Sequence, residues 1–97
     1  MKLLKRIIVV AGLTLFSLAA SAQTIGVSIP AATHGWAGGL NFHAEQTKAR
    51  LESAHPELKI VLVTANSASE QANDLEDLVA IHNMDALVIL PFESAPL

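Results

Sequence analysis

Few side chains in this 97-residue chain are equipped for chemistry, and they gather in two short loops. The first loop carries His34 and Trp36, the sole tryptophan; the second carries Glu93 and Ser94. Trp36 offers a flat apolar face, and the His34 imidazole can donate or accept a hydrogen bond. The Glu93 carboxylate can accept from two neighbouring hydroxyls at once, with Ser94 as a further hydrogen-bonding group. Ser28 is a weaker candidate because it falls inside a strand. This set describes recognition of a small ligand rather than bond making. His43, His55 and His82 are irregularly spaced and no carboxylate completes a set, so neither a metal site nor a cofactor is expected. Each candidate also has a structural role open to it. Trp36 can head the apolar stripe of a helix, His34 can be a solvated loop residue or N-cap substitute, and Glu93 can be a first-turn acid favoured by a helix dipole.

The elements that must hold these loops are legible from spacing. Residues 24–29 form a mostly apolar, β-favouring run that Pro30 ends, because proline cannot donate to a ladder. Beyond the loop, Trp36, Leu40, Ala44, Thr47, Leu51 and Ala54 recur at helical spacing, which predicts a helix with one apolar face. Glu45 and Lys48 form an expected i,i+3 pair on its other side. Gly38 and Gly39 are poor helix formers whose use would be close approach to another backbone or to a ligand. His55-Pro56 ends the helix.

Lys59-Ile-Val-Leu-Val-Thr-Ala65 does not alternate, which predicts a strand buried on both faces of a parallel sheet. Ser67-Ala-Ser-Glu70 fits a capping box that opens a second helix. Gln71, Leu75, Leu78, Val79 and His82 share one face of it, while Asp74, Glu76 and Asp77 are expected on a solvated face. Asn83 stands where a helix often ends in a left-handed residue. Residues 86–90 are a third strand, also expected to be buried, closed by Pro91. The β-α-β-α-β order with right-handed crossovers makes an α/β fold with a parallel sheet, the first part of a doubly wound lobe. In strand order 2-1-3 the connections leave strands 1 and 3 in opposite directions, and ligands sit off the carboxyl ends of such a pair. Both candidate loops lie there.

The amino terminus reads separately. Lys2, Lys5 and Arg6 precede an uncharged run at residues 7–20, and Ala20-Ser-Ala22 supplies an A-x-A site. These are the parts of a secretory signal peptide, residues 1–22, with cleavage expected after Ala22. The run is shorter than the roughly 20 apolar residues a spanning helix needs. The sequence contains no Cys, so no disulfide and no lipid-bearing cysteine are expected, and the periplasm is the compartment that fits. Residues 23–97 keep Lys48, Arg50 and Lys59 against nine carboxylates, a net charge of −6. That balance argues against nucleic-acid binding.

Taken in order, the signal peptide, Ile25-Gly-Val-Ser-Ile-Pro30, the aromatic-bearing loop, Ser69-Glu-Gln-Ala-Asn-Asp-Leu-Glu-Asp-Leu78 and Met84-Asp-Ala-Leu-Val-Ile-Leu-Pro91 resemble a known family. They look like the amino-terminal lobe of periplasmic sugar-binding proteins of ABC importers, the ribose-binding-like type I solute receptors. The resemblance spans nearly all of residues 24–97, with Asn83 standing where the family usually has Gly. It implies a monomeric, non-enzymatic receptor that binds a sugar or polyol and delivers it to a permease in the inner membrane. It also implies that Trp36 stacks on a sugar ring from one side only, since Ala37 stands where some relatives have a second aromatic. Receptors of this kind have two lobes of well over a hundred residues each. Residues 23–97 are therefore expected to be a partial lobe of marginal stability, and the chain a fragment.

Two other readings share these residues. His34-Gly35 and the glycines after it are similar to the oxyanion loop of α/β-hydrolases, which would make an exported esterase fragment. Against that, the chain has no Gly-x-Ser-x-Gly elbow and four residues separate the strand from His34. A periplasmic sugar-sensing domain would share the receptor fold.

Overall fold

The computed structural model describes residues 22–32 and 35–93. All of the expected signal peptide except Ala22 lies outside the described residues, as do His34 and Ser94. Five elements follow one another: strand β1 (Gln23–Pro30), helix α1 (Gly35–Ala54), strand β2 (Leu58–Ala65), helix α2 (Ala68–Ala80) and strand β3 (Ala86–Ile89). The strands pair in parallel in the order β2-β1-β3. The fold is α/β, with the β-α-β-α-β order that the spacing predicts. Among the described residues no helix is long and apolar enough to cross a membrane.

Alternation along β1 assigns a helix to each face of the sheet. Ile25 and Val27, with Leu62 of β2, face α1 across a cavity of about 270 Å³ closed on the helix side by Ala44 and Leu51. Gly26 and Ser28 face α2: a Cβ on Gly26 would meet Leu78, and the Ser28 hydroxyl bonds Gln71. Leu78 is wholly buried, and its burial contributes about 1.5–3 kcal/mol. Ile29, Ala37, Ile60 and Ala65 are the other buried apolar residues among those described.

Local signals act as expected at three points. α1 stops at Ala54, ahead of His55-Pro56. The Ser67 hydroxyl accepts from the Glu70 N–H at 3.1 Å, and the Glu70 carboxylate reaches back to the Asn66 N–H at 3.0 Å, one residue earlier than an ideal capping box. Asn83 has φ 51°, the left-handed conformation that lets the chain leave α2 and turn into β3.

Tertiary packing overrides the expected pattern elsewhere. Trp36 is 64% exposed and Ala37 is buried in its place, so the inward stripe of α1 begins one residue later. The cause is Asn41, whose Nδ2 donates to the Pro30 carbonyl at 2.9 Å and the Ala37 carbonyl at 2.8 Å, fixing the rotation of α1 against the end of β1. Cβ atoms built on Gly38 and Gly39 meet nothing within 4 Å, so neither glycine makes the expected close approach to described residues. β3 is not buried: Val88 is 58% and Leu87 38% exposed, because among the described residues β3 has a neighbour on one side only. On α2, Val79 turns out to solvent at 60% exposure, while Asp74 is drawn partly inward. One Asp74 carboxylate oxygen is buried without a hydrogen-bond partner. Burial, with the charges of Glu70 and Asp77 in support, pushes its carboxyl above the ordinary range.

The expected Glu45–Lys48 pair is replaced by Lys48–Glu52, spaced i,i+4, at 3.1 Å. Glu52 also accepts the Ile60 N–H of β2 at 3.0 Å. That backbone bond first, and the bond from Lys48 second, hold the Glu52 carboxyl below its ordinary range.

Candidate functional site

Pro30 and Pro91 stop β1 and β3 at the same end of the sheet, and the space beyond them is a cavity of about 250 Å³. The crossover from β1 runs to β2 on one side, and the crossover from β2 runs back past β1 to β3 on the other, so the cavity off the ends of β1 and β3 lies where the strand order reverses. Its walls are Pro30 and Ala31 after β1, Trp36 and Ala37 in the first turn of α1, and Leu90, Pro91 and Phe92 after β3. The volume lies just below the ~300–1,000 Å³ of drug-sized pockets and suits one small ligand.

Each wall has a traceable support. The Ala31 N–H donates to the Ala65 carbonyl at 2.7 Å, which ties the chain leaving β1 to the end of β2. The Asn41 bond to the Pro30 carbonyl sets the first turn of α1, so that Ala37 packs inward and Trp36 stands at the cavity wall with most of its ring accessible. The third wall is held by Gln71, which is wholly buried. Its Nε2 donates to Ser28 Oγ at 3.1 Å and to the Leu90 carbonyl at 2.9 Å, and its Oε1 accepts the Phe92 N–H at 2.7 Å. The Leu90 N–H donates to the Ser28 carbonyl at 2.9 Å, extending the pairing of β1 with β3.

The residues singled out from sequence are distributed unevenly around this cavity. Trp36 lines it. Ser28 is fully buried behind it, its hydroxyl engaged by Gln71. Glu93 is exposed and follows Phe92 at the mouth without lining the wall. His34 and Ser94 lie outside the described residues. Phe92, Gln71 and Asn41 were not among the candidates. Phe92 brings a second aromatic ring to the cavity, from the β3 loop rather than from beside Trp36. Its type was visible in the sequence beside Glu93, whereas the roles of Gln71 and Asn41 depend on contacts with residues far away in the chain.

The lining side chains are rings, prolines and aliphatics, and none of them is charged. Such walls bury a flat apolar surface of an uncharged ligand. Hydrogen bonding on this side falls to the Trp36 indole N–H and to backbone groups, including the first-turn N–H groups of α1, which have no intrahelical acceptor. Among the described residues no group of three or more His, Asp or Glu side chains is placed to hold a metal ion. Comparison with family models finds none that matches this chain, and comparison with curated proteins finds no relative.

Proposed function

We propose that this chain is the first-lobe part of a periplasmic solute receptor that binds a neutral sugar or polyol and hands it to an ABC permease. The observation that carries the reading is the cavity at the β1/β3 switch point, walled by Trp36 and Phe92 and free of charged lining side chains. A sugar ring has one face of C–H groups and an edge of hydroxyls. Trp36 and Phe92 match the face; His34 and Glu93 sit in the loops that would meet the edge. Function is binding without chemistry, and selectivity comes from buried polar groups that penalise a ligand lacking the matching hydroxyl. The resemblance of the ordered motifs to ribose-binding-like receptors supports the same reading.

The test is isothermal titration of the full-length protein against D-ribose, D-xylose, D-glucose, D-galactose and sorbitol, repeated with Trp36→Ala. One aromatic–sugar contact is worth about 1 kcal/mol, so the variant is expected to bind roughly five- to tenfold more weakly. Unchanged affinity removes Trp36 from the site, and absence of binding across the panel overturns the reading.

A further inference from the structure

We infer that Gln71, which no ligand touches in the proposed binding mode, is the positioning residue that joins the two sides of the cleft. It fixes the β3 loop to the end of β1, and so sets where Phe92 stands relative to Trp36. The inference rests on the reading that the cleft binds a ligand, and it adds the residue that determines the shape of that cleft.

The amide is used almost completely. Both Nε2 hydrogens are spent, on Ser28 Oγ and on the Leu90 carbonyl, and Oε1 takes the Phe92 N–H at 2.7 Å. Gln71 therefore spans three elements: its own helix, the central strand and the loop that follows β3. Residues 90–92 form one wall of the cavity, and among the described residues Gln71 supplies the only side-chain hydrogen bonds to them. Leu90 is 38% exposed and Phe92 only half-buried, so apolar packing alone holds this loop weakly. The bonds also require an amide. A group that accepts one N–H while donating to a carbonyl and a hydroxyl needs both an oxygen and an NH₂.

This requirement gives a signature that a merely space-filling residue lacks. In Gln71→Glu the protonated acid still accepts from Phe92 and donates one hydrogen, to Leu90 or to Ser28. The ionised form accepts from Phe92 and from a rotated Ser28 hydroxyl, yet faces the Leu90 carbonyl oxygen with no hydrogen between them. β1 and β3 carry no titratable group, Lys59 stands at the opposite end of β2, and Glu76 and Asp77 lie farther along α2, which leaves Glu70 and Asp74 of α2 and Glu93 of the loop nearest in the chain to Gln71 and its partner Phe92. All three are carboxylates, so together with burial they raise the pKa of the introduced acid. The loop is then held in acid and released in base.

The experiment compares the full-length wild-type protein with its Gln71→Met and Gln71→Glu variants by titration with the tightest-binding member of the sugar and polyol panel. Exchange of the Phe92 amide is followed by NMR on the same samples. Gln71→Met is expected to bind about tenfold more weakly at every pH, with Phe92 exchange about tenfold faster. Gln71→Glu is expected to match the wild type within about twofold near pH 5 and to resemble Gln71→Met near pH 8. Circular dichroism checks that each variant is folded, and the acid form of Gln71→Glu supplies a folded reference if Gln71→Met is not. The inference is overturned if Phe92 exchange is the same in all three proteins, or if Gln71→Glu loses affinity without a pH dependence. A wild-type chain that binds none of the panel overturns the binding reading itself, whereas wild-type binding with unaltered Gln71 variants overturns only the role of Gln71.

Discussion

Gly26 offers the sharpest test of the packing that supports the cleft. It sits in the central strand, where an alanine is compatible with the backbone because the φ angle is not positive. A Cβ placed there lies 2.8 Å from Met84 Sδ and 3.0 and 3.3 Å from the two Leu78 δ-carbons. Ordinary carbon–heavy-atom contacts lie near 3.5–4.0 Å, so Met84 must retreat by about 0.7–1.2 Å. Leu78 is wholly enclosed and cannot turn out to solvent without leaving the core. Overpacking of this kind costs about 1–3 kcal/mol. Loss of the flexibility of glycine in the unfolded chain returns about 0.4–1 kcal/mol. The net expectation for Gly26→Ala is a loss of about 1–2 kcal/mol. With a slope near 1 kcal/mol per molar urea, the midpoint of a melt followed by circular dichroism falls by about 1–2 M. Met84→Ala, which removes the nearest atom, is expected to recover part of the loss, with a coupling of at least about 0.5 kcal/mol in the double-mutant cycle. A Gly26→Ala chain as stable as the wild type refutes the placement of Met84 and Leu78 over the central strand.

Two further predictions follow from α1 and α2. Gly39 lies in α1 with open space where a side chain would be, so Gly39→Ala is expected to raise stability by up to about 1 kcal/mol in the same urea melt. Asp74 has its carboxyl raised by burial and by Glu70 and Asp77, so the folded state holds its proton more tightly than the unfolded chain. Its ionisation therefore removes stability as pH rises through the raised pKa. Asp74→Asn is expected to be more stable than the wild type at neutral pH, with the advantage fading below the ordinary aspartate range. A difference that stays constant across a pH series of melts refutes that account.

What could be read beforehand was local. The proline that stops β1, the Ser67–Glu70 cap and the left-handed Asn83 each depend on neighbours within a few residues, and composition alone points to them. The rotation of α1 could not be read in this way, because it turns on Asn41 meeting the Pro30 carbonyl after the chain has doubled back. Trp36 heads a plausible apolar stripe in sequence, yet that bond leaves it facing outward. The apolar run in β3 signals two faces that favour burial, but how much of each is covered depends on the neighbours the strand finds. For the site, topology located the cavity, and residue type identified Trp36. Phe92 has no hydrogen-bonding group, so residue type points to the polar residues beside it, although an apolar cavity wall is built from rings. Gln71 was placed on the inner face of α2 without a reason for a polar group to be there. That reason is three partners 19 to 43 residues distant in the chain.

The bond from the Ile60 N–H to Glu52 bears on how two copies of the molecule can meet. It occupies an outward donor of β2, and that bond first, with Lys48 second, keeps the carboxylate ionised to more acidic pH than usual. Among the described residues the outer side of β3 has no such guard. A sheet with one stopped and one open margin has a polarity of growth. Head-to-tail stacking would require β2 of one copy to accept β3 of the next, and Glu52 stands in that path. A single carboxylate thus blunts one margin of the sheet against the pairing of a further strand.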